Sequence, residues 1–248
     1  TGVVTLIFGE LFADVDVARA SAAVLSVRYG EAEEGAADQT AYRILAAAGL
    51  PGRVLPLALA RVGPAHLGAV DRALAGGGEA PFTWGNLLAW NAMRVVSRDT
   101  CRPFSADRSG MILGEGAAML LLEEAGAAQD RGARVYAEVA GCGISCDAHH
   151  MTAAHPEGDG AARAMEQALR TSGVRPEEVS YVSAHGTGTP TNDRLETLAV
   201  KRVFGERARR VPISSIKSMI GHTMGAASAI EGAVCALAIA TGRVPPTI

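Results

Sequence analysis

The stretch VSYVSAHGTGTPTNDRLETLAVKRVFG, residues 179–205, carries a strand, a polar turn and a helix in one line of sequence. VSYVSA is short, uncharged and rich in β-branched and aromatic residues, which suits a buried strand. Gly186 and Gly188 then break the extended pattern beside His185, Thr187, Thr189 and Pro190. NDRLETLAVKRVFG returns to helical spacing, with Asn192 or Asp193 as the expected N-cap. Residues 211–242 repeat the layout. VPISSIK reads as a strand, a polar turn follows, and MGAASAIEGAVCALAIATG reads as a small-residue helix, apolar on most faces and so buried.

Working outward, DGAARAMEQALRTSGV (159–174) has the spacing of an amphipathic helix with a glycine stop. RVYAEVAGCGIS (134–145) and AAMLLLEEA (117–125) read as strands, the second buried before its charged exit. RALAGGGEA (72–80) reads as the end of a strand or helix running into a glycine turn. Further upstream the pattern gives a short strand at GRVLPL (52–57), a helix at YRILAAAGL (42–50) and a buried strand at GVVTLIF (2–8). Strands and helices alternate through the second half, which predicts an α/β fold with a largely parallel sheet. In such sheets chemistry collects at the carboxyl ends of strands, and His185 and Lys217 each lie just past one.

Composition bounds the function. The 248 residues suffice for one large domain or two small ones. Hydrophobic residues at 48% against 20% charged specify a folded globule rather than a disordered chain. A net charge of −3 and a pI of about 6.1 give no electrostatic reason to expect nucleic acid or an anionic membrane as partner. Neither an apolar run of the ~18 residues that span a bilayer nor a signal peptide is expected. The four cysteines, Cys101, Cys142, Cys146 and Cys235, are irregularly spaced and form no disulfide framework, so a reducing cytoplasm is the expected setting.

Two segments carry candidate chemistry. Taken alone, His185 in its glycine-threonine turn reads first as a histidine hydrogen-bonded within that turn. The second segment, SSIKSMIGH (214–222), adds Lys217 and His222 close together. Lysine is a rare choice here, since Lys201 and Lys217 are the only two among 23 basic residues. An ammonium near an imidazole lowers its pKa and keeps it neutral. A neutral imidazole can donate Nε2–H to a developing oxyanion. Glu196, on the helix after His185, is a carboxylate that could pin the lysine by a charge-assisted bond.

With AGGGEAPF (75–82), CRPFSADRSGMILGEGAAMLLLEE (101–124), AHGTGTPTNDRLE (184–196) and SSIKSMIGHTMGAASAIE (214–231), the chain resembles the β-ketoacyl-ACP synthases, elongating condensing enzymes of the thiolase-like superfamily. The resemblance runs from about residue 70 to the end. It implies the layered α/β/α thiolase-like fold, with 1–125 a trimmed N-terminal half and 126–248 most of the C-terminal half, its final strands absent. It implies decarboxylative Claisen condensation of malonyl-ACP with an acyl thioester, in fatty acid or polyketide biosynthesis, with no cofactor and no metal. His185 and His222 would stabilise the enolate. Lys217 would orient the second histidine, and Glu196 would pair with Lys217, with Asp193 as a further supporting residue. Thr187 and Thr189 would bind the phosphopantetheine arm. The implied partners are an acyl carrier protein and a second ketosynthase subunit, as homodimer or heterodimer.

One departure matters. The family's nucleophilic cysteine turn lies upstream of the AGG segment, and GRVLPLALARVGPAHLGAVDRALAGGGEA (52–80) contains no cysteine. The stretch reads as a deletion, with Ala60 as the replacement in an alternative alignment. The remaining cysteines read as structural, because a reactive thiol needs an electropositive, accessible setting. The expectation is a synthase impaired or inactive alone. A malonyl-ACP decarboxylase and a non-catalytic partner subunit like a chain-length factor stay open. Shortening at both ends predicts exposed apolar surface. CGISCDAHHMTAAH (142–155) fits no zinc spacing, and the glycine-rich LGEGAAM and AGGGEA match no nucleotide-binding loop.

Overall fold

The computed structural model describes residues 72–150 and 153–248. The strands expected over 2–8 and 52–57, the helix over 42–50 and the position of Ala60 lie outside the described residues.

Strands β1 (Arg72–Glu79) and β2 (Gly116–Glu123) form an antiparallel ladder, with Arg72 opposite Glu123 and Glu79 opposite Gly116. The glycine triplet of RALAGGGEA does not turn. Gly76, Gly77 and Gly78 continue the strand, because their bare backbone faces neighbours packed too closely for side chains at two of the three positions. β2 is a strand as expected but not a buried one. Successive side chains of a strand point to opposite faces, so its continuous apolar run leaves Met119 57% exposed. Between these strands, helix α1 (Trp84–Ala92) buries none of its residues, and Trp84 is 76% exposed. Helix α2 (Ala125–Asp130) follows β2.

The main core lies between α3 (Asp159–Ser172), α4 (Pro190–Phe204) and a short parallel pair, β3 (Val182–Ser183) with β4 (Ile213–Ser214). Ala162, Met165 and Leu169 of α3 meet Ala199, Val200 and Phe204 of α4 across Val182. These positions recur at the three- and four-residue spacing of a buried helix face. α3 ends at Gly173 in the left-handed conformation, which closes the helix as its glycine stop predicts. α4 begins earlier than Asn192 or Asp193. Thr189 is the N-cap and Pro190 fills the first helical position, where a missing N–H costs nothing.

Two further expectations need correction. Residues 134–145 form no strand. Their backbone lies along α3, where Thr171 Oγ1 accepts from Cys142 N–H and donates to Cys142 O, and Gln167 accepts from Ile144 N–H. Helix side chains thus satisfy polar groups that a ladder would otherwise take. After the short helix α5 (Lys217–Ile220) and a 3₁₀ turn (Met224–Ala226), helix α6 (Ala227–Thr241) is buried along one stripe only: Ala227, Glu231, Gly232, Cys235 and Ala238. The span Met224–Thr241, at 18 residues and a mean hydropathy of 1.6, is also long and apolar enough to cross a membrane by length and composition. This corrects the expectation of no such run: the alanines and aliphatic residues around the single charge of Glu231 keep the average high. The buried stripe of α6 packs against β1 and β2.

Candidate active site

His185 and Lys217 enter the site from the same end of one parallel pair. Ser183 lies beside Ser214 in register, and the chain leaves both strands in the same direction. Ala184 N–H donates to Ser214 O at 2.9 Å, and Ser215 Oγ donates to Gly186 O at 2.8 Å, so the two turns are tied to each other. Gly186 (φ +45°) and Gly188 (φ +76°) are left-handed. A Cβ on Gly186 would collide with Ser215 and stand 3.0 Å from the Phe104 ring. One on Gly188 would stand 2.8 Å from Gly110 O. Only glycine satisfies both demands.

Within this frame Lys217, 1% exposed, places Nζ 3.3 Å from His185 Nδ1 and 2.5 Å from Glu231 Oε1. The His185 and His222 rings stand edge to face with centroids 5.2 Å apart. His222 is clamped by its own backbone: its N–H donates to Ile112 O at 2.6 Å and its carbonyl accepts from Gly114 N–H at 2.9 Å. Met224 N–H donates to His222 Nδ1 at 3.1 Å.

These bonds set both imidazoles. An ammonium can only donate, so Lys217 fixes His185 Nδ1 as acceptor; Met224 N–H does the same for His222. Each ring therefore carries its proton on Nε2. Burial, then the Lys217 charge, then His222, hold His185 well below the ordinary histidine value. Burial and then Lys217 bring His222 down to about 3. Both rings are neutral donors at pH 7.

Two expected contacts differ in the structure. Lys217 does not orient His222 through its ammonium; the bond runs to His185. Its carboxylate partner is Glu231 on α6, not Glu196. Glu196 sits on α4 beneath the His185 turn, where its two oxygens accept the N–H groups of His185 (2.7 Å) and Gly186 (2.8 Å). Burial raises its pKa against those two bonds. Asp193, one turn earlier, accepts from Phe104 N–H at 2.7 Å and Gly188 N–H at 3.2 Å. Phe104 is thereby held at φ +64°, unusual for a residue with a side chain. The Thr187 and Thr189 hydroxyls are bonded to each other at 2.8 Å.

Sequence reasoning missed Glu231, although a signal existed: it is the only charged side chain between His222 and Gly242. A charge in such a helix needs a buried partner. It also missed Phe104 and Met224, for which no sequence signal stands out. Cys101 Sγ lies 3.3 Å from Thr187 O and its pKa is raised by burial, Cys235 is pushed up to about 11 by burial, and Cys142 and Cys146 are exposed. Among the described residues no three His, Cys, Asp or Glu side chains converge to hold a metal.

Two buried, neutral imidazoles braced by a lysine at the ends of parallel strands define a site of the kind that stabilises negative charge on a carbonyl oxygen. The β-ketoacyl synthase N-terminal domain matches residues 62–128 and the β-ketoacyl synthase C-terminal domain matches residues 136–248. The chain belongs to the β-ketoacyl synthase family, and its fold is that family's thiolase-like α/β fold. It is 51% identical over 182 residues to nodulation protein E of Rhizobium leguminosarum bv. trifolii, a match covering 73% of this chain and 45% of that protein. It is 44% identical over 186 residues to 3-oxoacyl-[acyl-carrier-protein] synthase 2 of Staphylococcus aureus (strain COL), covering 73% and 45%. Among solved structures, the ishigamide ketosynthase/chain length factor superposes with a TM-score of 0.68 at 45% identity, covering 73% of this chain and 44% of that one. A type II polyketide synthase acyl-carrier protein in complex with its ketosynthase bound to the hexaketide gives 0.71 at 39% identity, covering 73% and 46%. The chain therefore spans a little under half the length of the relatives it matches.

Proposed function

We propose that this chain carries the decarboxylating half of a β-ketoacyl synthase site and acts on a malonyl thioester presented by an acyl carrier protein, in a cytoplasmic pathway of fatty acid or polyketide synthesis. The supporting observation is the pair of neutral imidazoles whose Nδ1 atoms are occupied by Lys217 and Met224. In the reaction, the bond from the malonyl α-carbon to its carboxylate breaks and CO₂ leaves. The electron pair delocalises onto the thioester oxygen as an enolate. His185 and His222 donate Nε2–H to that oxygen, each such donor being worth about 3 kcal/mol in a water-excluded site. Thr187 and Thr189 bind the phosphopantetheine arm by exchanging their mutual hydrogen bond for bonds to it. In a complete synthase the enolate carbon attacks an acyl group held on cysteine. With no cysteine in residues 52–80, the enolate takes up a proton and the product is an acetyl thioester.

The test is release of labelled CO₂ from malonyl-ACP. His222→Ala and His185→Ala are each expected to lower it by about 10²-fold. Unchanged release after His222→Ala overturns the proposal. A second reading, a non-catalytic subunit that pairs with an active ketosynthase, is favoured by the missing cysteine and the exposed apolar helix α1. It predicts no release from the chain alone and a stable complex with a cysteine-bearing ketosynthase.

A further inference from the structure

We infer that Gly77, on β1 and remote in sequence from the histidines, is a positioning residue that sets the tautomer of His222. This rests on the proposed role of His222 as an Nε2–H donor. β1 lies against the Met224–Ala226 turn. A Cβ on Gly77 would fall under 3.0 Å from the Gly225 carbonyl oxygen and at 3.4 Å from Ala226 Cα. The obstacle is backbone, so it cannot swing aside as a side-chain tip would. The bare Gly77 backbone therefore fixes how deeply the turn sits. Within that turn Met224 is held at φ +43°, a left-handed conformation that strains a residue with a side chain. There its N–H reaches His222 Nδ1 at 3.1 Å.

His222 itself is anchored elsewhere, by Ile112 O and Gly114 N–H. If Gly225 is pushed outward, the ring stays with its anchors while the Met224 N–H moves off Nδ1. Without that donor, no other bond among the described residues obliges the proton to remain on Nε2. Gly78 supplies the internal control. It is the next residue of the same strand, and a Cβ there would meet only Ala117 Cβ at 3.5 Å, an ordinary contact.

The experiment uses the full chain with ¹⁵N-labelled histidine, the His222 signals being assigned by their loss in His222→Gln. At neutral pH the parent and Gly78→Ala are expected to show the Nε2–H pattern. Gly77→Ala is expected to show a mixture of tautomers and a turnover number for CO₂ release about 10-fold lower, with KM little changed. Gly77→Ala combined with Met224→Gly relaxes the turn and is expected to regain the Nε2–H pattern. A Gly77→Ala chain that keeps the Nε2–H pattern overturns the inference, as does Gly78→Ala showing the same loss. If Gly77→Ala does not fold, the double variant decides; failure of both to fold counts against a role confined to one hydrogen bond. The tautomer readout does not need turnover, so absence of CO₂ release in the parent defeats the proposed function and leaves this inference to be judged on the spectra.

Discussion

Lys217 Nζ meets Glu231 Oε1 at 2.5 Å, joining the start of α5 to the second turn of α6 in a buried ion pair. The same nitrogen stands 3.3 Å from His185 Nδ1, so one bond serves packing and the imidazole together. Removing one partner of a buried pair leaves an uncompensated charge and costs about 3–5 kcal/mol. Glu231→Ala should lose that much in urea unfolding. Lys217→Met with Glu231→Leu should recover most of it, because both charges are then gone, while CO₂ release stays lost. A Glu231→Ala chain of parental stability would rule out the pair as a structural element.

Glu196 makes a different prediction from the one its distance in sequence suggests. Its two oxygens accept two consecutive backbone N–H groups. Glu196→Gln can supply one acceptor and brings an NH₂ group against the other N–H. The expected loss is about 1–3 kcal/mol, as for a buried donor left unsatisfied. Hydrogen exchange at the His185 and Gly186 amides should accelerate, with the Lys217–Glu231 pair intact.

Acid should weaken the fold through the histidines. In the native state His222 stays neutral down to about pH 3, and His185 is depressed as well, whereas in the unfolded chain both take up protons near pH 6.5. The unfolded state therefore binds more protons below pH 6.5, and stability falls as pH falls. Each neutral histidine contributes a slope of about 1.4 kcal/mol per pH unit. Glu196 acts with the opposite sign, since its raised pKa lets the native state take up a proton first. Two histidines against one carboxylate leave a net loss. Denaturant melts between pH 7 and pH 5 should show it, and His222→Gln should flatten the slope.

The thiols should sort by burial. Iodoacetamide is expected to label Cys142 and Cys146 and to spare Cys101 and Cys235, whose thiolates are disfavoured by burial. Incubation with an acyl thioester of the carrier protein should leave no adduct on any of the four. A stable thioester on one of them, seen by mass spectrometry, would restore covalent catalysis to this chain.

Local chemistry made much of this legible beforehand. The helices at 159–172 and 190–204 follow from their own spacing, and the turns at Gly186 and Gly188 from residues that suit left-handed backbone. The family's motifs brought His185, Lys217 and His222 into one expectation. What failed was decided by neighbours. RVYAEVAGCGIS has strand composition, but its backbone polar groups are satisfied along α3 rather than by a ladder. AAMLLLEE is a strand whose burial depends on which face meets α6.

The sequence alone determined which chemical groups are present, that lysine is scarce, that residues 52–80 hold no cysteine, and where strand, turn and helix alternate over 159–242. Only the tertiary structure decided which carboxylate meets which charge. Glu196 lies 21 residues before Lys217 and Glu231 lies 14 after it; neither separation encodes a distance. The choice is made by packing: α4 lies beneath the His185 turn and turns Glu196 toward backbone N–H groups, while α6 lies beside α5 and brings Glu231 to the ammonium. A buried ammonium must find a compensating charge in low dielectric, and the helix that comes within hydrogen-bonding reach supplies it.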